Sequence, residues 1–208
     1  MQGRPPRAGL FCLLFVDDAR AVARTAQRKP DIMTQSTLRA DCARCAALCC
    51  VALAFDRSEL FAIDKPAGAC CPHLGHAGQC SIHAQRLQRG FGGCVGYDCL
   101  GAGQRVVQDL FGAASWQDDP TLLQPMLRAF WVVGRAHELM SLLEEASKLS
   151  LSRGERRRLT RLKARLEASA EAARTTVWDD NLGREVATFL RSLKHRVQRP
   201  ARPPCRRS

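Results

Sequence analysis

Nine of the chain's eleven cysteines fall between Cys42 and Cys99, and His73, His76 and His83 share the same stretch. Thiolates and imidazoles at this density suit zinc in a tetrahedral shell, or an iron-sulfur cluster held by cysteines. The segment opens Asp41-Cys42-Ala43-Arg44-Cys45-Ala46-Ala47-Leu48-Cys49-Cys50, which is C-x2-C-x3-C-C. On a helix, a step of about 100° per residue would put Cys42, Cys45 and Cys49 within roughly 60° of one another, with Cys50 about 80° from Cys42. Cysteine also serves as a small hydrophobe on buried helix faces. That use accounts well for one or two of these positions and poorly for four.

Downstream come Cys71-Pro72-His73-Leu74, Gly78-Gln79-Cys80-Ser81-Ile82-His83 and Cys94-Val95-Gly96-Tyr97-Asp98-Cys99. The succession C-x2-C-x3-C-C, C-P-x-L, G-x-C-S-I-[YH] and C-x4-C resembles the bacterial CxxCxxxCC, or YkgJ-like, family, described as zinc- or iron-chelating domains. The resemblance covers about residues 41–104. It implies eight metal ligands: Cys42, Cys45, Cys49, Cys50, Cys71, Cys80, Cys94 and Cys99. His83 stands where the family tends to have tyrosine, and residues 90–93 lengthen the approach to Cys94. Residues 61–68 and 97–106 are also similar to the cysteine-rich segment that precedes pentapeptide repeats in some bacterial proteins. No five-residue recurrence follows here, so only the metal-binding part carries over. Eight cysteines would complete two four-ligand sites, or hold one cluster with a reserve. Both zinc and iron accept four thiolates, and spacing does not separate them. Cys70 has no counterpart in the motif and could substitute for Cys71.

The composition is that of a globular protein, 46% hydrophobic and 25% charged, but the formal charge of +12 is high. Twenty basic and twelve acidic residues lie from residue 100 onward, whereas residues 42–99 carry five and four. A secreted disulfide scaffold would also explain many cysteines. The odd total and the adjacent pairs Cys49-Cys50 and Cys70-Cys71 favour metal thiolates in a reducing cytoplasm. The apolar run 8–16 after Arg4 and Arg7 imitates a signal peptide faintly, and Asp17, Asp18 and Arg20 interrupt it. Translation from Met33 is the plainer account of residues 1–32. No run reaches the roughly 18 apolar residues of a membrane span.

The elements that must position these ligands are mainly α-helical. The expected organisation is an N-terminal extension at 1–40, a small irregular cysteine-rich metal-binding module at 41–103, a helical hairpin or bundle at 104–197, and a disordered basic tail at 198–208. Residues 51–55 read as a short strand or a buried continuation of the cysteine helix, and 104–116 as a short amphipathic segment. Asp119 as N-cap and Pro120 at the first helical position start a long helix to about Lys148. On it Leu122, Met126, Ala129, Val133, Ala136, Met140 and Leu143 form a packing stripe. His137 lies beside that stripe as a packed or surface residue. Ser152-x-x-Glu155 is a capping box for a second helix with Leu159, Leu162, Leu166, Ala170 and Ala173 on one face. Asn181 is the expected cap of a last helix with Leu182, Val186, Phe189, Leu190 and Leu193. Cys12 and Cys205 receive no role as ligands.

No G-x-S-x-G, phosphate loop, dinucleotide glycine pattern or H-E-x-x-H occurs. The expectation is therefore a metal-binding protein whose partner, if a protein, the sequence does not name. Redox or group transfer at an iron centre is the enzymatic alternative. Arg153, Arg156, Arg157, Arg158, Arg161, Lys163 and Arg165 could neutralise phosphates. They share their helix with Glu155, Glu167 and Glu171, so nucleic acid ranks lower as a partner.

Overall fold

The computed structural model describes residues 38–75 and 78–197. The run 8–16, Cys12, Met33, His76, Cys205 and the basic tail lie outside them. The fold is mainly α. Among the described residues there is no strand, only two isolated antiparallel bridge pairs, Phe55 with Lys65 and Leu74 with Cys80. Three short helices, α1 (Leu48–Ala52), α2 (Gly92–Gly96) and α3 (Ala102–Gln104), belong to the cysteine region. Three longer ones, α4 (Leu123–Ser147), α5 (Arg153–Glu171) and α6 (Asp180–Ser192), form the scaffold.

The start of α4 follows from Asp119 and Pro120. Asp119 Oδ1 accepts from Thr121 N at 3.0 Å, and proline sits where its missing N–H costs nothing. The first turn, Pro120–Leu122, is 3-10 and passes directly into α4. Pro125 falls in the first turn of α4, where it breaks no intrahelical bond, so the long helix continues past it. Of the α4 stripe, every member is buried except Leu122, which is half-buried.

The connection from α4 to α5 is short enough to make the two a hairpin, and the capping box is present: Glu155 N donates to Ser152 Oγ and Ser152 N to Glu155 Oε2. Replacing Ser152 by alanine removes one half of that exchange. We expect a loss of about 1 kcal/mol in urea unfolding. For α6 the cap is Asp179, whose Oδ1 accepts from Asn181 N at 2.9 Å. The expectation of Asn181 is therefore corrected by two residues: Asn181 lies inside the helix because the earlier carboxylate captures its N–H.

Leu159, Leu162, Leu166 and Ala170 of α5 and Leu182, Val186 and Phe189 of α6 close on the α4 stripe to make one hydrophobic core. Leu48, Val51 and Ala52 of α1 and Ala102 of α3 enter the same core. Beside it, buried Glu144 pairs with half-buried Lys163 at 3.6 Å, and half-buried Arg105 with Glu167 at 2.5 Å. No helix among the described residues is long and apolar enough to cross a membrane.

Candidate metal centre

The C-x2-C-x3-C-C run is not one helix. Cys42–Arg44 form a 3-10 turn capped by Asp41, α1 begins only at Leu48, and between them Ala46 and Ala47 take left-handed backbone angles, with φ of 46° and 54°. Two non-glycine residues there carry a steric cost. Contacts from the helical half hold them. Trp116 Nε1 donates to the Ala46 carbonyl at 2.8 Å and Gln108 Nε2 to the Arg44 carbonyl at 3.0 Å. Gln104 accepts from Asp41 N through Oε1 and donates to the Arg39 carbonyl through Nε2. Gln117 Nε2 reaches the Gly75 carbonyl at 3.2 Å. An irregular loop leaves backbone groups without ladder partners, and these four side chains supply them.

Residues 51–55 are likewise no strand. Val51 and Ala52 finish α1, and Phe55 pairs only with Lys65 across one bridge. The 104–116 segment begins as α3 and widens into a π-helical turn at Arg105–Leu110. Gly103 in α3 allows the close approach of Cys45, since a Cβ there would lie 2.7 Å from Cys45 Cβ. Gly103→Ala should therefore displace the Cys45 thiol and weaken metal retention, measured by chelator competition, while the helical circular dichroism of α4–α6 persists.

Seven of the eight ligand candidates, Cys42, Cys45, Cys49, Cys50, Cys71, Cys80 and Cys94, line one cavity of about 830 Å³. Cys99 lines a smaller cavity of about 50 Å³ together with Cys42, Cys45, Cys49 and Cys94. Residues from four separate stretches are thus brought to one place. Cys70 is exposed and lines neither cavity, whereas Cys71 lines the larger one. All nine described cysteines are free thiols. His73, His83 and Tyr97 also face the large cavity. Both imidazoles are additional donors that spacing alone did not single out; their signal was adjacency to Cys71 and Cys80. One wall is aromatic: Phe55 stacks on Phe61 with centroids 4.2 Å apart, Phe91 meets both edge-on, and His73 meets Phe91 at 4.9 Å.

This apolar setting acts on the thiols. Burial, then the neighbouring Cys49, pushes Cys45 up to about 12. Cys49 is raised further, first by its hydrogen bond with the Cys50 thiol and then by burial. Burial also raises Cys42, Cys71 and Cys94, with Cys49 and Cys99 adding to the effect at Cys42, and Cys49, Cys71 and Cys80 adding to that at Cys94. Any metal that binds must displace these protons. Among the described residues no three Cys, His, Asp or Glu side chains stand close enough to share one ion as placed. The donors fit zinc or iron by chemical type, as soft, free thiols that line one cavity. Completing a shell requires side-chain rotation.

His137 is buried in α4 beside this region. Its Nδ1–H donates to the Leu100 carbonyl at 2.6 Å, and Nε2 has no protein partner. Burial lowers its pKa to about 4. A folded value below the unfolded 6.5 means that the unfolded chain takes up the proton first, so stability present above pH 6.5 is lost as pH falls toward 4. At 1.36 kcal/mol per unit the loss is about 3 kcal/mol. Urea unfolding at pH 7 and 4.5 should show this fall for the parent and a smaller one for His137→Asn, which keeps a donor toward Leu100.

No family model and no solved structure matches the chain. It is 34% identical over 170 residues to the "Uncharacterized protein YybG" of Bacillus subtilis (strain 168), an alignment that takes in 80% of this chain and 61% of the relative. The chain thus spans about three fifths of the length of the curated relative it matches.

Proposed function

We propose that this chain is a metal-binding protein of the YkgJ-like kind, holding zinc or an iron-sulfur centre through Cys42, Cys45, Cys49, Cys50, Cys71, Cys80, Cys94 and Cys99. The observation that carries the reading is the lining of one cavity by seven of these thiols, drawn from segments far apart in sequence. Cys49 acts on Cys42, Cys45, Cys71 and Cys94 alike, so the thiols behave as one cluster. The eight thiols would complete two four-thiolate sites, or hold one cluster with a reserve. Bound zinc would tie the loops together, and an iron-sulfur cluster would add one-electron redox capacity. The chain's part is to gather thiols, hold them in apolar surroundings and give up their protons. Free thiols in this number suit the cytoplasm, and we place the protein there.

Elemental analysis after purification without oxygen tests the reading. We expect zinc or iron bound within residues 42–99, with brown charge-transfer absorption if iron-sulfur; less than about half an equivalent of any transition metal would sink it. Nucleic-acid binding through α5 is the weaker reading. Lys163 and Arg165 are paired with Glu144 and Glu185, and Arg158 lies over the Phe189 ring. Salt-sensitive nucleic-acid binding that survives metal removal and is lost on changing Arg156, Arg157 and Arg158 together would reverse the order.

A further inference from the structure

Lys65 is 4% exposed, and among the described residues no carboxylate forms a salt bridge with it. Its Nζ donates to the carbonyls of Val51 at 3.2 Å, Pro66 at 3.1 Å and Ala69 at 2.8 Å, and stands 5.6 Å from the centroid of the Phe55 ring. The three oxygens use the three N–H bonds of an ammonium, but none brings a negative charge. Lysine is almost never buried unless paired, because an isolated charge is costly away from water. The groups around it that can become anionic are the thiols of Cys71, Cys50, Cys70 and Cys49. Val51 directly follows Cys50, and Cys71 N donates to the Cys50 carbonyl at 3.0 Å, so the lysine is braced by the same backbone that carries two of the cavity thiols.

Four thiolates around a divalent ion leave an excess of negative charge in a low-dielectric site. We propose that Lys65 is the fixed counter-charge of the Cys50 and Cys71 side of the thiol cluster, a positioning residue that stabilises the metal-bound, thiolate form from outside the coordination shell. This rests on the metal-binding reading above. Three bonds to carbonyls from segments 51 and 66–69 anchor the ammonium, so the charge is present before the metal arrives.

Parent, Lys65→Arg, Lys65→Gln and Lys65→Ala proteins are to be loaded with zinc and titrated with a chromophoric chelator. Gln retains donors without charge, and Arg retains charge. Metal should be held about ten- to a hundredfold more weakly in Lys65→Gln, the range for removing a group that supports ligands from the second layer, and nearly as in the parent in Lys65→Arg. In Lys65→Ala, n-butylammonium should restore retention and n-butanol should not. Weakening in Lys65→Arg as large as in Lys65→Gln, parent-like retention in Lys65→Gln, or equal rescue by butanol each overturns the proposal. If the variants fail to fold, the parent still decides: the 15N resonance of Lys65 Nζ in the loaded protein should be that of an ammonium, and a neutral amine refutes the idea. A parent that takes up no metal refutes the metal-binding reading itself, and parent uptake with indifferent variants refutes the role of Lys65 alone.

Discussion

Cys49→Ser should strip the protein of its metal, with retention against a chelator falling by more than the roughly hundredfold limit seen for groups outside the coordination shell. Cys49 lines both cavities, and its thiol acts on Cys42, Cys45, Cys71 and Cys94 alike. A serine hydroxyl is a poor replacement because the thiolate, not the neutral group, is the ligand. Cys70→Ser is the matched control, since Cys70 is exposed and outside both cavities. Parent-like metal content in Cys49→Ser, or loss in Cys70→Ser, would show that the ligand assignment is wrong.

Leu166→Ala should lower the unfolding free energy by about 2–5 kcal/mol, the cost of a large-to-small change where the surroundings cannot collapse fully. Leu166 is completely buried on α5, within the core that α4 and α6 share. Because that core also holds Leu48 and Val51, the variant should bind metal less tightly as well. Urea unfolding and chelator competition on the same preparation check the two effects. A stability change below about 1 kcal/mol would mean that the packing at this position is not as described.

The scaffold was legible because its signals are local. A stripe at steps of three and four, Asp119-Pro120, and Ser152 with Glu155 each act within one or two turns, and the helices follow them closely. The cysteine run was misread for the opposite reason. Ala46 and Ala47 have the highest helix propensity of any residue type, yet they adopt left-handed angles where distant groups, among them the Trp116 indole, take up the loop's backbone carbonyls. Tertiary partners seventy residues away override propensity, and nothing in the spacing announces them. Lys65 was invisible for a related reason. A lysine is assigned to the surface by default, and only the meeting of three carbonyls about one Nζ shows that this one is not there.

The sharing of one core between α1 and the long helices bears on inheritance. Leu48, Val51 and Ala52 turn their apolar side chains away from the cavity and onto the scaffold, while Gln104, Gln108, Trp116 and Gln117 reach back to the loop carbonyls. A cysteine segment cut at residue 103 would lose both its floor and its braces. In evolutionary terms it is not a free-standing cassette: a lineage that transplanted it would have to supply, in the recipient, a helix face to receive α1 and donors to satisfy the loop.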